Sequence, residues 1–159
     1  MKIPFGYDEI NEVYGNPDFD GDMRPDVEFL LQKMVVQPAP FPMRCSWNLN
    51  LFITKLYAHV LAVDLMAEAL EEILILMGPE ELRAKGWDIC GGIYSFRPKT
   101  SGKKLTTHAW GIAIDYCPHL GPYGQMGISY PKELSEPFLN RGCIQLKNDM
   151  MHFQLCDGY

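Results

Sequence analysis

Two segments that combine histidines and carboxylates with apolar residues constrain the fold most strongly. The first runs from Thr106 to Asp115 and reads TTHAWGIAID, and the second runs from Asp149 to Gln154 and reads DMMHFQ. His108 and Asp115 are seven residues apart, with Gly111 between them. Metal-binding helices instead place two histidines at i and i+4 on one face. The spacing therefore predicts a turn that leads into a strand.

The alternation of side chains along a strand predicts which residues of the first segment share a face. Ile112 and Ile114 point to one side, whereas Ala113 and Asp115 point to the other. Asp115 would then face a cleft, and the small Ala113 beside it leaves room for a metal ion.

The second segment repeats the pattern, with His152 and Gln154 opposite an apolar face formed by Met151, Phe153 and Leu155. If the two strands pair, Asp115 and His152 meet at one ion, and His108 completes a triad from the preceding turn.

This residue set has the composition of a hydrolytic zinc site. Such sites take three protein ligands from His and Asp or Glu, and a further carboxylate acts as general base. We predict His108, Asp115 and His152 as the ligands. Asp149, three residues before His152, is the candidate base.

Together with Arg97, the pattern Thr106-x-His108-x-x-Gly111-x-Ala113-x-Asp115 and the later Asp149-x-x-His152-Phe-Gln resemble a known family over roughly residues 91 to 154. This is the zinc D-alanyl-D-alanine carboxypeptidase and L-alanyl-D-glutamate endopeptidase family, which includes phage endolysins. The resemblance implies zinc on the three ligands, catalysis by Asp149, and an Arg97 that stabilises the oxyanion. The implied substrate is a peptidoglycan stem peptide.

Three further residues of the same pattern, Thr106, Trp110 and Gln154, are predicted to contact substrate. Two positions depart from the usual family pattern. Thr106 stands where serine is frequent, and Asp149 stands where glutamate is frequent. Since Asp149 is one methylene shorter, the backbone must bring its carboxylate closer.

Length and composition predict one domain. The order of helices followed by strands predicts an α+β fold with a mainly antiparallel sheet, which carries the zinc site and packs on a long core helix. The chain has 159 residues, 47% of them hydrophobic. Apolar periodicity predicts that helix over residues 50–77, and a second one over 79–85. Residues 1–47 are predicted to be an irregular arm with one short helix capped by Asp26, and 48–159 the peptidase core. The resemblance implies a fold of the DD-peptidase and Hedgehog type.

Charge and cysteine content narrow the class of protein. A net charge of −6 gives no basic field for nucleic acid, so nucleic-acid binding is not expected. Five cysteines, an odd number without metal-finger spacing, indicate reduced thiols. Trp47 and Trp87 are expected in the core.

Location is predicted from the N-terminal residues and from the family analogy. The N-terminal residues contain no apolar run of secretory length, so we expect a protein that is cytoplasmic as synthesised and has no integral membrane segment. Release to the periplasm or wall during phage lysis follows from the analogy alone.

Several alternatives stay open at this level. The chain could be a catalytically inactive zinc module of the same fold with a structural or virion-associated role, or a thiol protein that stores metal. The sequence does not choose between cleavage of a terminal D-alanine and cleavage inside the stem, and it does not indicate the oligomeric state or the host.

Overall fold

A mixed six-stranded sheet with strand order β2-β1-β3-β4-β6-β5 forms the centre of the molecule. The computed structural model describes residues 2–100, 102 and 104–159. The strands are β1 (Met34–Cys45), β2 (Asn48–His59), β3 (Ile89–Gly92), β4 (Ala113–Tyr116), β5 (Ile144–Leu146) and β6 (Asp149–Gln154). The helices are α1 (Gly6–Tyr14), α2 (Val27–Lys33), α3 (Val63–Met77), α4 (Pro79–Lys85) and α5 (Lys132–Leu139), with 3₁₀ turns at Thr107–Trp110 and Pro118–Leu120.

The α+β class is confirmed, and the sheet is largely antiparallel. Only the short pairing of β1 with β3 is parallel among the described strands, while β1–β2, β3–β4, β4–β6 and β5–β6 are antiparallel. No helix in the described part of the chain is long and apolar enough to cross a membrane.

The prediction of a single helix over residues 50–77 was wrong in its first part. Asn48–His59 is strand β2, which pairs with β1 from Met34↔His59 to Cys45↔Asn48. Apolar residues in this stretch fit a helical period locally, but pairing with β1 provides hydrogen bonds and burial that no local pattern reveals. The helix begins only at Val63. It ends at Met77, before Gly78, as predicted.

The first 47 residues are also more regular than predicted. Pro38, Pro40 and Pro42 lie within β1, where the pairing with β2 shifts register between Pro38 and Met43. Proline donates no ladder hydrogen bond, so it is tolerated at such an irregularity. The short helix after Asp26 is present, but the Asp26 side chain makes no capping bond. The predicted arm boundary at residue 47 falls in the turn of the β1–β2 hairpin.

The core lies between α3, α5 and one face of the sheet. The fully buried residues of α3 are Met66, Ala69, Leu70 and Ile73. Phe138 of α5, a helix that the sequence analysis missed, stacks on Phe153 of β6 at 4.6 Å between ring centroids. Ile114 and Phe153 are directly paired across β4 and β6 and are fully buried. Their neighbours Asp115 and His152 therefore point to the other face, as predicted.

Gly111 joins the Thr107–Trp110 turn to β4 and has the left-handed φ of 68°. Its carbonyl accepts a hydrogen bond from the His59 amide at 2.9 Å. A Cβ atom at this position would lie 2.7 Å from that amide nitrogen and 2.6 Å from Cε of Met34. The close approach of two backbone segments at this point requires glycine.

We expect Gly111→Ala to lower the free energy of unfolding by at least about 3 kcal/mol. The left-handed conformation alone costs an alanine roughly 1–2 kcal/mol, and the backbone clash adds to it. Gly127→Ala is the matched control, because Gly127 has a φ of 72° but nothing within 4 Å of the added Cβ. Urea unfolding of both variants measures the difference. Equal losses of unfolding free energy in the two variants would show that the close packing at Gly111 does not contribute to stability.

Candidate metal centre

Three side chains from three different elements meet on the polar face of the sheet. His108 comes from the 3₁₀ turn, Asp115 from β4 and His152 from β6, and their ligand atoms lie within 4.8 Å of one another. Asp115 and His152 are directly paired across the two strands. The predicted triad is therefore assembled in the fold, and it is compatible with a metal site.

The orientation of His108 is fixed by the backbone. Its Nδ1 lies 2.7 Å from the carbonyl oxygen of Ile93, which can only accept a hydrogen bond. Nδ1 therefore carries the proton, and in the neutral ring Nε2 presents its lone pair. This buried Nε2 has no hydrogen-bond partner, although it lies 3.2 Å from Oδ1 of Asp115.

The carboxylate of Asp115 lies between the two imidazoles. Nδ1 of His152 is 2.8 Å from the same Oδ1 atom. Burial raises the pKa of Asp115, but the adjacent His108 and His152 outweigh that effect and hold the pKa well below its usual range. The group is thus a carboxylate at neutral pH.

The donor set fits a divalent cation. A carboxylate oxygen and the unpartnered lone pair of His108 Nε2 repel each other unless a positive charge lies between them. Two imidazole nitrogens and one carboxylate oxygen are ligands typical of zinc and of other first-row transition metals. Three protein ligands leave coordination positions open for other molecules.

Asp149 lies at the start of β6, at the predicted position. Burial raises the pKa of its carboxyl to about 6, and the adjacent Asp115 adds to this effect while His152, His108 and Arg97 oppose it. Its Oδ1 atom is buried and has no hydrogen-bond partner. An unpartnered, half-buried carboxyl group beside the triad is well placed to exchange a proton, and its catalytic role stays a prediction.

Arg97 and Thr106 lie on opposite sides of a loop that folds back on itself. The Thr106 amide donates to the carbonyl of Arg97 at 3.0 Å, and Pro98 pairs with Leu105. The side chain of Arg97 is exposed, and its charge acts on Asp149. Oγ1 of Thr106 is buried without a partner. The exposed Arg97 is accessible to a substrate, whereas the Thr106 hydroxyl is not accessible to one in this structure.

Trp110 and Gln154 are not placed to contact substrate. Trp110 is 0% exposed, and its indole N–H donates to the carbonyl of Gly15 at 2.9 Å and to Asn11 Oδ1 at 3.1 Å. It anchors α1 to the turn that carries His108. Gln154 is 2% exposed, and its amide oxygen contacts His152. Both side chains act within the protein in this structure.

The other tryptophans also depart in part from expectation. Trp47, predicted to be in the core, is 63% exposed at the turn of the β1–β2 hairpin. Trp87 is partly buried, and the ammonium of Lys85 lies 4.5 Å from its ring centroid. The error at Trp47 arose because a hairpin turn was not expected there.

Two contacts of the site were missed by sequence reasoning. The Ile93 carbonyl that orients His108 is a backbone group, and the sequence carries no signal for it. Thr107 Oγ1 lies 3.1 Å from Nε2 of His152. Thr107 directly precedes His108 in the motif, and its hydroxyl could have been predicted as a hydrogen-bond partner of a metal ligand.

The cysteines are apart from the metal cluster in the described residues. All five are buried and free. Burial raises the pKa of Cys90, Cys143 and Cys156 to about 12, so these thiols stay protonated at neutral pH. No cysteine belongs to a group of potential ligands in the described part of the chain. The structure therefore gives no support to a thiol-based metal store.

A second group of carboxylates, Asp18, Asp20 and Asp22, lies in an exposed loop. Their oxygens accept backbone N–H bonds within the same loop, from Met23 to Asp18 and from Arg24 to Asp22. These local bonds account for the clustering.

Comparisons with known proteins give no relative. No protein-family model matches the chain, and no curated protein or solved structure matches it.

We expect one equivalent of Zn²⁺ to bind and to raise the melting temperature. At a free zinc concentration of about 100 times the dissociation constant, the stabilisation is about 2.7 kcal/mol, or roughly 5–10 °C for a domain of this size. Asp115→Asn should abolish the shift, whereas the exposed His119→Gln should retain it. Calorimetry and thermal unfolding measure both effects. Loss of binding after thiol alkylation of folded protein would instead favour a thiol site.

Asp149→Asn is expected to stabilise the metal-free protein at alkaline pH. The raised pKa means that the stability contributed by the protonated group is complete below about pH 4 and is lost as the pH rises through about 6. An asparagine does not ionise. The variant should match the unaltered protein near pH 4 and exceed it by about 1 kcal/mol near pH 8, a value discounted for partial solvent access.

Urea unfolding of the metal-free protein at both pH values measures this difference. Asp64→Asn, on the exposed face of α3, is the matched control and should show no such trend. A difference between Asp149→Asn and the unaltered protein that does not change with pH would contradict the expectation.

Proposed function

We propose that this protein is a zinc-dependent peptidase that hydrolyses peptidoglycan stem peptides. The observation that carries the proposal is the cluster of His108, Asp115 and His152 with the partly buried Asp149 beside it. Two imidazoles, one carboxylate ligand and a separate carboxyl group are the parts that hydrolytic zinc sites require. The sequence pattern that includes Arg97 supports the choice of substrate and a fold of the DD-peptidase and Hedgehog type.

His108, Asp115 and His152 would hold the zinc ion. When bound, zinc polarises a carbonyl group and makes water a stronger nucleophile near neutral pH. Asp115 supplies the negative charge of the ligand set. His108 and His152 are buried and Asp115 is partly buried, which keeps their geometry fixed, so that binding requires little reorganisation.

Asp149 is the proposed general base and acid. It accepts a proton from the attacking water and then donates it to the leaving amine. A base is most effective when its pKa lies near the working pH. The burial that raises the pKa of Asp149 to about 6 supports this role.

Arg97 is proposed to stabilise the negative charge that develops on the scissile carbonyl oxygen. Its guanidinium is exposed, and it lies near enough to Asp149 to lower the pKa of that carboxyl. Donors aimed at developing charge supply a large part of many rate enhancements. The hydrogen bond from the Thr106 amide to the Arg97 carbonyl holds the backbone at this arginine.

A second candidate is a metal-binding module of the same fold without catalysis. The burial of Trp110 and Gln154 favours it, because two of the three predicted substrate contacts face the interior. Such a module would bind zinc and fold as the enzyme does but would cleave no peptide.

Mass spectrometry of peptidoglycan and its soluble stem peptides tests the peptidase. We expect a product that is lost with a chelator and restored with Zn²⁺. Loss of one alanine would indicate a D-alanyl-D-alanine carboxypeptidase, and separation after L-alanine an endopeptidase. No product from folded, zinc-loaded protein across several wall types would favour the inactive module.

Asp149→Asn assigns the base in the same assay. We expect turnover to fall at least about 100-fold, since general base catalysis contributes roughly that much, while zinc binding and the fold persist. Asp64→Asn serves again as the surface control. Unchanged turnover in Asp149→Asn would remove this residue from the mechanism.

A further inference from the structure

We propose that Gln154 is a positioning residue that holds a proton on Nε2 of His152, so that Nδ1 is the ring nitrogen that binds the metal. The inference rests on the proposed metal site. It starts from a chain of hydrogen bonds that runs from a backbone carbonyl, through the Gln154 amide, to the imidazole.

The first bond of this chain sets the orientation of the amide. Nε2 of Gln154 lies 3.1 Å from the carbonyl oxygen of Cys156. That oxygen can only accept, so the NH₂ group of Gln154 must point toward it. The reversed amide would place two oxygen atoms against each other in a buried position. The amide oxygen therefore faces the other way, toward His152.

The second bond sets the tautomer. Oε1 of Gln154 lies 3.0 Å from Nε2 of His152. The amide oxygen can only accept, so Nε2 must carry a proton. Nδ1 of the same ring lies 2.8 Å from Asp115 Oδ1, and in the metal-free protein it donates to that carboxylate. A metal ion that binds at Nδ1 displaces this proton to solvent, whereas the proton on Nε2 stays in place because Gln154 accepts it.

Thr107 contacts the same nitrogen but does not decide the tautomer. Its Oγ1 lies 3.1 Å from Nε2 of His152, and a hydroxyl can either donate or accept. Thr107 is therefore compatible with both tautomers. Gln154 is compatible with one, because its amide is already oriented by Cys156.

Burial leaves the two side chains without alternative hydrogen-bond partners from solvent. Gln154 and His152 are 2% and 6% exposed, so water has little access to replace a lost bond. They lie two residues apart on β6, and the strand period puts both on the same face. His108 is oriented in a similar way but by a single hydrogen bond, because its Nδ1 donates directly to the Ile93 carbonyl.

Two substitutions separate tautomer control from simple packing. Gln154→Met keeps the length of the side chain and removes the acceptor, so His152 is free to adopt either tautomer. Gln154→Glu keeps an acceptor toward Nε2 but loses the donor to Cys156. If Gln154 acts through its acceptor oxygen, the variant that keeps an acceptor should retain its zinc affinity, and the variant that lacks one should lose affinity, whatever the stability of each variant.

The affinity of each variant for Zn²⁺, measured by competition with a chromophoric chelator, is the first readout. We expect Gln154→Met to bind roughly 10- to 100-fold more weakly, the usual loss for a residue that supports a ligand. Gln154→Glu should stay within a few-fold of the unaltered protein. The matched control is Gln145→Met. Gln145 lies on β5 and donates to the carbonyl of Met150 at 2.5 Å, and its substitution should leave affinity unchanged.

Nitrogen-15 NMR of the His152 ring in the zinc-loaded protein is the second readout, and it needs no activity. We expect a protonated Nε2 and a metal-bound Nδ1 in the unaltered protein. A metal-bound Nε2 in the unaltered protein would overturn the proposal, even if Gln154→Met does not fold.

The two failures are distinguishable. If the unaltered protein binds zinc through Nδ1 of His152 but cleaves no peptide, the proposed function fails while the role of Gln154 stands. If it binds zinc and Gln154→Met binds equally well, or Gln154→Glu is as weak as Gln154→Met, the role of Gln154 fails while the metal site stands.

Discussion

The register between β4 and β6 is the constraint on which the rest of the structure depends. Asp115 lies opposite His152, and Ile114 lies opposite Phe153. A slip of one residue would move every side chain of a strand to the other face. It would bury the carboxylate against α5 and expose the apolar side chains. The same packing that forms the core thus holds the two ligands together.

The candidate metal site contains hydrogen-bond acceptors that no donor among the described residues satisfies. His108 Nε2 and Asp149 Oδ1 are both buried without a hydrogen-bond partner. Natural proteins contain few such groups, and those present often mark function. The stability lost at these atoms is offset by the apolar core on the opposite face of the sheet. As a result, the potential ligands His108, Asp115 and His152 are already close together in the metal-free protein.

The parts of the fold that depend on local alternation were predictable, and those that depend on distant pairing were not. The strands around Asp115 and His152 follow from side-chain period and residue type. The convergence of the triad depends on the distant pairing of these two strands, and it was expected from the family resemblance. Strand β2 was mistaken for helix because its apolar spacing suits both structures until β1 is known to lie beside it. The groups that orient the ligands are backbone carbonyls or buried polar residues, so neither composition nor motif reveals them. Trp110 lies within the motif for a structural reason that only the contact with α1 explains.

The anchoring of Trp110 to Gly15 joins residues 95 positions apart in the sequence, and the hydroxyl of Tyr14 donates to the carbonyl of Leu155 across 141 positions. Contacts between such distant parts of a chain form slowly, because a long loop must close before they contribute. The turn that carries His108 and the end of the strand that carries His152 are thus both tied to the first helix. On a chain emerging from the ribosome, the three residues of the candidate metal cluster cannot meet until the segment that carries His152 has been made.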